Sequence, residues 1–253
     1  MPSVPEKPVA LPAWDDQALD DPHAQRDKAE RVEKMFDAIA PTYERVNRVL
    51  TFGRDAAWRR RAIAAAELRA GDVALDVCCG TGDMVRLLAG HQPAPKLVIG
   101  LDFSAQMLAA GSYPTIGAPI QLARADGLRL PLRDGSVDVV TCAFGVRNFS
   151  DLDAGLREFR RVLRPGGRCV ILEFAAPENA LVRVGYRFYT NVLLPRLGAA
   201  LSGDHGNAYR YLPKSIESFA RRGELSARLR TAGFADVTTR GLNFGSVVVY
   251  RAV

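Results

Sequence analysis

The stretch Val73-Ala-Leu-Asp-Val-Cys-Cys-Gly-Thr-Gly-Asp83 sets the class of architecture. Val73 to Cys78 is a continuous apolar run of strand length, Gly80 and Gly82 supply a turn, and Met84, Val85, Leu87 and Leu88 continue as a helix. Strand, glycine turn and helix in direct succession open a βαβ unit, and an α/β sheet receives its ligand at the C-terminal end of such a strand. Glycine at 80 and 82 lets the backbone approach a ligand without Cβ atoms in the way. A dinucleotide fingerprint would place a third glycine at position 85 to pack helix on strand, but Val85 stands there, which weakens a pyrophosphate reading. Taken alone, the turn is also compatible with a plain strand–helix connection that binds nothing.

The same rhythm repeats downstream. Leu97–Leu101 reads as a second strand ending at Asp102, and Ser104 can cap a helix through Met107 and Leu108. Ile120–Ala123 and Val137–Cys142 are further strands, and a helix from Asp151 to Leu163 is closed by Arg164-Pro-Gly-Gly167 before a strand at Cys169–Leu172. A helix from Ile216 to Ala232 ends at Gly233. Phe234–Arg240 and Ser246–Tyr250, joined through Asn243 and Gly245, then read as an antiparallel hairpin. The expectation is an α/β fold: a mostly parallel seven-stranded sheet with helices on both faces and an antiparallel pair at the C-terminus.

Upstream, residues 1–27 carry Pro2, Pro5, Pro8, Pro12 and Pro22 without a periodic apolar face, so a flexible arm dispensable for folding is expected. Residues 28–253 are expected to form one domain. Within it, 28–68 supplies helices that present Val32, Met35, Phe36, Ile39, Val46, Val49 and Leu50, and the aromatic-rich 177–218 interrupts the βα rhythm as a lid.

Bulk properties narrow the partners. The formal charge of +6 favours anionic surfaces, yet Arg59-Arg60-Arg61 and Arg221-Arg222 are short enough to be solvated helix faces, so no nucleic-acid partner is indicated. Cys78, Cys79, Cys142 and Cys169 form no C-x-x-C pair, and 78, 142 and 169 fall in apolar runs. A reducing compartment and no metal site are expected. Without a run of 18 apolar residues or a basic-then-apolar leader, the expected location is cytoplasmic.

Asp102 follows Gly82 at the spacing where a carboxylate can accept both hydroxyls of an adenosine ribose. Asp126-Gly127, just after the third strand, can offer a carboxylate to the adenine amine and a backbone N–H to a ring nitrogen. Each alone could be a cap or turn residue. Acidic residues with glycines at the tips of three successive strands (Asp76 with Gly80 and Gly82, Asp102, Asp126 with Gly127) together point to a nucleoside site.

These residues, with Leu163-Arg-Pro-Gly-Gly167, resemble the class I S-adenosylmethionine-dependent methyltransferases. More specifically, Phe36-Asp-Ala-Ile-Ala-Pro-Thr-Tyr43, Phe144-Gly-Val-Arg-Asn148, Leu172-Glu-Phe174 and Tyr211-Leu-Pro-Lys-Ser215 resemble the menaquinone/ubiquinone biosynthesis C-methyltransferases, a similarity running from about residue 28 to the C-terminus. The resemblance implies a Rossmann-like methyltransferase fold, S-adenosyl-L-methionine as methyl donor with no metal, and a prenylated naphthoquinol or benzoquinol as acceptor, demethylmenaquinol foremost. It carries Thr81, Asp102, Asp126 and Gly127 over as donor-binding positions. Two departures stand out: Asp126-Gly127 replaces a frequent Asn-Ala, and Ala143 lacks a hydroxyl that some members have.

Carbon methylation of a quinol needs a phenolate, and a free phenol has a pKa of about 10, so a base or a neighbouring cation is required. Arg147 stays protonated and is expected to stabilise the phenolate, with Asn148 beside it, although a salt bridge to a carboxylate is the alternative use of Arg147. His205 next to Asp204 can titrate near neutrality, and Tyr209 or Tyr211 can relay a proton. Leu181, Val184, Phe188, Val192 and Leu193, interleaved with Arg183, Arg187 and Arg196, suit a peripheral membrane contact, or equally packing on the core or on a second subunit in a homodimer. A nicotinamide-dependent oxidoreductase would share the sheet but bind a different nucleotide, and an RNA methyltransferase would bind RNA with steep salt dependence.

Overall fold

Strands that are apolar on both faces need helices on both sides, and the computed structural model, which describes residues 13–113, 117–202 and 207–253, shows that arrangement. In chain order the elements are α1 Asp16–Asp20, α2 Lys28–Ile39, α3 Tyr43–Leu50, α4 Asp55–Ala66, β1 Val73–Val77, α5 Asp83–Ala89, β2 Leu97–Asp102, α6 Ala105–Ala110, β3 Ile120–Arg124 and β4 Val137–Ala143. After them come α7 Leu152–Val162, β5 Leu163–Phe174, α8 Ala180–Phe188, α9 Leu194–Ser202, α10 Ala208–Glu217, α11 Arg222–Thr231, β6 Val237–Leu242 and β7 Val247–Ala252.

The strands form one seven-stranded sheet in the order β3-β2-β1-β4-β5-β7-β6. The first five are parallel, and β7 runs antiparallel between β5 and β6. Alternate residues feed two cores. Leu75, Val140, Ile171 and Val248 pack against Leu156 and Phe159 of α7 and Leu225 and Leu229 of α11, while Ala74, Val139, Val170 and Val249 pack against Trp58, Ile63, Val85 and Leu88 of α4 and α5.

The position that lacked a fingerprint glycine is explained on the neighbouring strand. A Cβ at Gly100 of β2 would lie 3.0 Å from Val85 Cγ2 and 2.7 Å from Leu122 Cδ2. Gly100 therefore provides the close helix–sheet approach that a glycine at 85 would otherwise give.

Three expectations need correction. First, residues 13–27 are not an arm. Trp14 is fully buried and stacks on Tyr211 at 4.4 Å, its carbonyl accepts from Asn207 Nδ2 at 2.7 Å, and Asp15 caps α1 by accepting from Ala18 N at 2.8 Å. These contacts are tertiary and leave no periodic trace in a proline-spaced segment; residues 1–12 lie outside the described residues. Second, the helix expected over 216–232 is two helices. Ile216 falls in the last turn of α10, which ends at Glu217, and Glu224 reaches back to the Arg221 N–H at 2.8 Å to start α11. Third, Arg164-Pro-Gly-Gly167 does not precede the fifth strand but lies within it, where the register against β4 shifts between Val137 and Val139. The other boundaries agree closely, including Asp151 capping α7 and Ser104 capping α6.

Because Trp14 joins the N-terminal segment to α10, we expect Trp14→Ala to lower unfolding free energy by about 3 kcal/mol in urea titration. An unchanged midpoint would restore the arm interpretation.

Candidate functional site

β1 lies between β2 and β4, so consecutive connections leave it in opposite directions and a crevice opens at its C-terminal tip. The backbone there is strained. Cys78 and Phe144, at the tips of β1 and β4, hold left-handed φ of 58° and 59°, and Gly145 has no room for a side chain, since a Cβ would lie 2.6 Å from Cys78 Cβ. Cys78 is half-buried at this bend and Cys79 is buried, so Cys79 is the core residue of the pair, the reverse of the sequence expectation.

On the β2 side of the crevice, Gly80 and Gly82 turn with φ of 55° and 92°. Asp102 braces this turn: its Oδ2 accepts from Gly80 N at 2.7 Å and its Oδ1 from Ser104 N at 2.8 Å. Each carboxylate oxygen keeps a second lone pair for a ligand. Burial raises the Asp102 pKa, while the two backbone donors hold it down. Asp76 is placed differently from its neighbours in the motif. It is buried in the floor of the crevice, accepts from Thr141 Oγ1 at 2.6 Å, and burial pushes its pKa up to about 7. Thr81 is buried and its carbonyl accepts from Arg86 at 2.9 Å. Farther along the tips, Asp126 is exposed, and Gly127 is buried where a Cβ would come within 2.8 Å of the Phe149 ring.

Sequence reasoning missed two contributors here. Tyr113 packs its ring on Gly82 and donates from its hydroxyl to the Gly80 carbonyl at 3.3 Å. Helix α2 roofs the strand tips, Asp37 accepting from the Ser104 hydroxyl and Glu33 pairing with Arg124. An aromatic residue between two loops, and acids on the polar face of an amphipathic helix, leave no signal of this in the sequence.

On the β4 side, a cavity of about 580 Å³ is lined by rings that include Phe36, Tyr43, Trp58, Phe144, Phe174, Tyr186 and Tyr211. Phe144 stacks on Phe174 at 4.4 Å, with Trp58 edge-on to both. Arg147 lies in the cavity wall. Its Nη1 donates to Glu173 Oε1 at 2.8 Å and to the Phe144 carbonyl at 2.5 Å, and its guanidinium sits 5.5 Å from the centroid of Phe174. Burial works against the charge, and Glu173 together with Tyr211 and Tyr43 more than offsets it, so the Arg147 pKa lies above the ordinary arginine value. Burial pushes Glu173 up, but Arg147 Nη1, Arg147 N and Phe174 N all donate to it, which requires an acceptor on both oxygens. Arg147 Nε is buried without a partner among the described residues.

The salt bridge weighed as an alternative for Arg147 thus exists, with the guanidinium lining the cavity at the same time. Glu173 was legible in one respect: an acid in an apolar strand demands a cation. Tyr211 donates to Asn148 Oδ1 at 2.9 Å, and burial raises the Tyr211 pKa, which keeps it a neutral donor. Arg147, Asn148 and Tyr211 are therefore brought together, while His205 lies outside the described residues. A charged chain connects the two sides of the crevice: Arg59, in the cavity wall, pairs with Asp55 at 2.9 Å and with Asp83 at 3.0 Å, and Asp83 meets Arg86 beside the glycine turn.

A glycine-lined crevice braced by a carboxylate and flanked by an aromatic chamber, on this sheet order, defines a Rossmann-like methyltransferase. A SAM-dependent methyltransferase of Thermotoga maritima shares the fold with a TM-score of 0.60 at 19% identity, covering 87% of this chain and 98% of that one. Residues 24–253 match the model of the ubiE/COQ5 methyltransferase family, and the chain belongs to that family. It is 43% identical over 218 residues to the demethylmenaquinone methyltransferase of Thermus thermophilus, covering 85% of this chain and 98% of that protein. It is 40% identical over 228 residues to the ubiquinone/menaquinone biosynthesis C-methyltransferase UbiE of Geobacter sulfurreducens, covering 88% of each. S-adenosylmethionine is accordingly the methyl donor of this enzyme family.

The Asp76 carboxyl carries its own pH signature. Its folded pKa of about 7 exceeds the ordinary 3.8, so the folded state binds the extra proton and stability falls as pH rises between those values. In urea midpoints measured across that window, Asp76→Asn should remove this downward component. An identical pH slope in both proteins would contradict the assignment.

Proposed function

We propose that this chain methylates a ring carbon of a prenylated quinol, with demethylmenaquinol as acceptor and menaquinol as product. The observation that carries this reading is a permanently charged, buried guanidinium, Arg147, in the wall of an aromatic chamber beside the glycine turn. The quinol class comes from the relatives, a demethylmenaquinone methyltransferase and a ubiquinone/menaquinone biosynthesis C-methyltransferase.

The donor crevice fits the nucleoside by its own features. Gly80 and Gly82 keep side chains out of the turn, Asp102 has lone pairs free for the ribose hydroxyls, and Asp126-Gly127 stand at the next tip for the adenine. Thr81 lies between the glycines, and Asp76 supports the floor through Thr141. When bound, the donor supplies an electrophilic methyl on sulfonium, which moves to a ring carbon as the C–S bond breaks; the acceptor gives up its phenolic proton and then the proton on that carbon.

The protein's part is to create and hold the phenolate. Arg147 offers charge where the oxygen anion develops, in a chamber whose rings exclude water and strengthen the interaction. Asn148, oriented by the Tyr211 hydroxyl, positions the same oxygen. The proton acceptor is assigned to His205 on chemical grounds, because imidazole is the side-chain type suited to accepting a proton near neutral pH. Residues 177–218 are read as the lid, because Tyr186 of α8, Tyr189 just after it and Tyr211 of α10 line the chamber.

The isoprenoid tail requires an apolar exit. Phe52, which lines the chamber, and Phe244, next to the lining residue Asn243, are 78% and 80% exposed, and Leu181 and Val184 of α8 are 85% and 69% exposed, so α8 does not spend its apolar face on the core. Arg54, which lines the chamber, lies two residues after Phe52 and donates to Asn243, the neighbour of Phe244, and Arg183, Arg187 and Arg196 accompany α8 and α9. Apolar tips among arginines match an anionic bilayer surface. No helix among the described residues is long and apolar enough to cross a membrane, and the contact proposed here is a peripheral one at the cytoplasmic face.

Arg147→Ala should slow turnover about a hundredfold while calorimetric donor affinity stays within about twofold, whereas Asp102→Ala should weaken donor binding at least about tenfold. Wild-type turnover in Arg147→Ala would remove that residue from the mechanism. In co-sedimentation, wild type should bind anionic vesicles, and the Phe52→Ser/Phe244→Ser double variant should lose that binding. No binding by wild type, together with dimeric mass in light scattering, would assign the face to a homodimer instead.

A further inference from the structure

Lys28, the first residue of α2, is 2% exposed, far from the usual place of a lysine. An ammonium has three N–H donors, and each finds an acceptor: the Phe149 carbonyl at 2.6 Å, the Arg147 carbonyl at 2.9 Å and His23 Nδ1 at 2.9 Å. Arg147 and Phe149 bracket Asn148, so Lys28 grips the backbone on both sides of that residue.

His23 extends the grip. Its Nε2 lies 3.0 Å from the Ser215 carbonyl, which can only accept, so Nε2 carries the proton and Nδ1 is left bare to accept from Lys28. Burial, followed by the Lys28 charge, pulls the His23 pKa down and keeps this ring neutral. Burial, followed by the Arg147 charge, pulls Lys28 down to about 8, which leaves it largely protonated at neutral pH. Ser215 belongs to α10, the helix that carries Tyr211, and Tyr211 donates to Asn148 Oδ1 at 2.9 Å. The path from the Arg147 turn through Lys28, His23 and α10 back to Asn148 is closed.

We propose that Lys28 and His23 form a buried clamp that fixes the Arg147-Asn148 turn to α10, making Lys28 a positioning residue for methyl transfer. Lys28 does not line the chamber, and all its protons are committed to holding other groups. The proposal rests on the reading that Arg147 acts in turnover, so its test has one arm that depends on activity and one that does not.

The first arm is a double-mutant cycle. Lys28→Met should lower kcat about tenfold or more, with donor affinity and acceptor KM within about twofold, and this loss should vanish in an Arg147→Ala background, because sites that act together are not additive. Equal loss in both backgrounds would overturn the clamp while leaving Arg147 in place; wild-type turnover in Arg147→Ala would instead remove the underlying reading. The second arm is amide hydrogen exchange. Lys28→Met should speed exchange across residues 144–149 and 208–217 and leave β1 and β4 protected, and unchanged exchange there would overturn the clamp regardless of activity. Should Lys28→Met fail to fold, His23→Ala, which keeps the ammonium and two of its bonds, is expected to give the same pattern at smaller amplitude, and a wild-type exchange pattern in it would equally overturn the proposal.

Discussion

The reversal of strand order at β1 is the constraint on which the site depends. Because β2 and β4 flank β1 and the chain leaves in opposite directions, the strand tips part, and backbone at Cys78 and Phe144 must bend through left-handed conformations to leave the sheet. That bend is tolerable because glycine stands wherever the two tips would collide, Gly145 against Cys78 above all. The consequence is two spaces meeting at one edge: a polar crevice braced by Asp102 and an aromatic chamber walled by Phe144 and Phe174.

Each space holds charge in a different way. In the crevice, carboxylates accept from backbone N–H groups and from Thr141, an arrangement that orients lone pairs while limiting strain. In the chamber, Arg147 is retained by a buried carboxylate that is itself fully supplied with donors. Breaking such a pair on one side leaves an uncompensated buried charge, so Glu173 and Arg147 stand or fall together. Helix α2 joins the spaces, with Lys28 at the Arg147 turn, Glu33 at the end of β3 and Asp37 at the end of β2.

Much of this was legible before any coordinates. The first four parallel strands announce themselves as largely apolar runs that end on or shortly before a Gly or Asp, and the hairpin by the turn through Asn243 and Gly245. The meeting of Arg147, Asn148 and Tyr211 was accessible through the resemblance of their short motifs, since nothing in local periodicity brings residue 211 to residue 148. What escaped is what depends on tertiary contact: Trp14 on Tyr211, Tyr113 on Gly82, and the buried Lys28. In a helical pattern Lys28 reads as an ordinary exposed first-turn residue, and its acceptors lie more than a hundred residues away.

A donor cradled at the β1 and β2 tips is expected to deliver its methyl to a ring carbon held in the Arg147 chamber. Purified enzyme incubated with methyl-labelled S-adenosylmethionine and reduced prenyl naphthoquinol, followed by mass spectrometry of the product, tests it most directly. Label on a ring carbon, formed faster than with a benzoquinol acceptor, is the result predicted. Label on oxygen, or donor consumption without a methylated quinol, would contradict it.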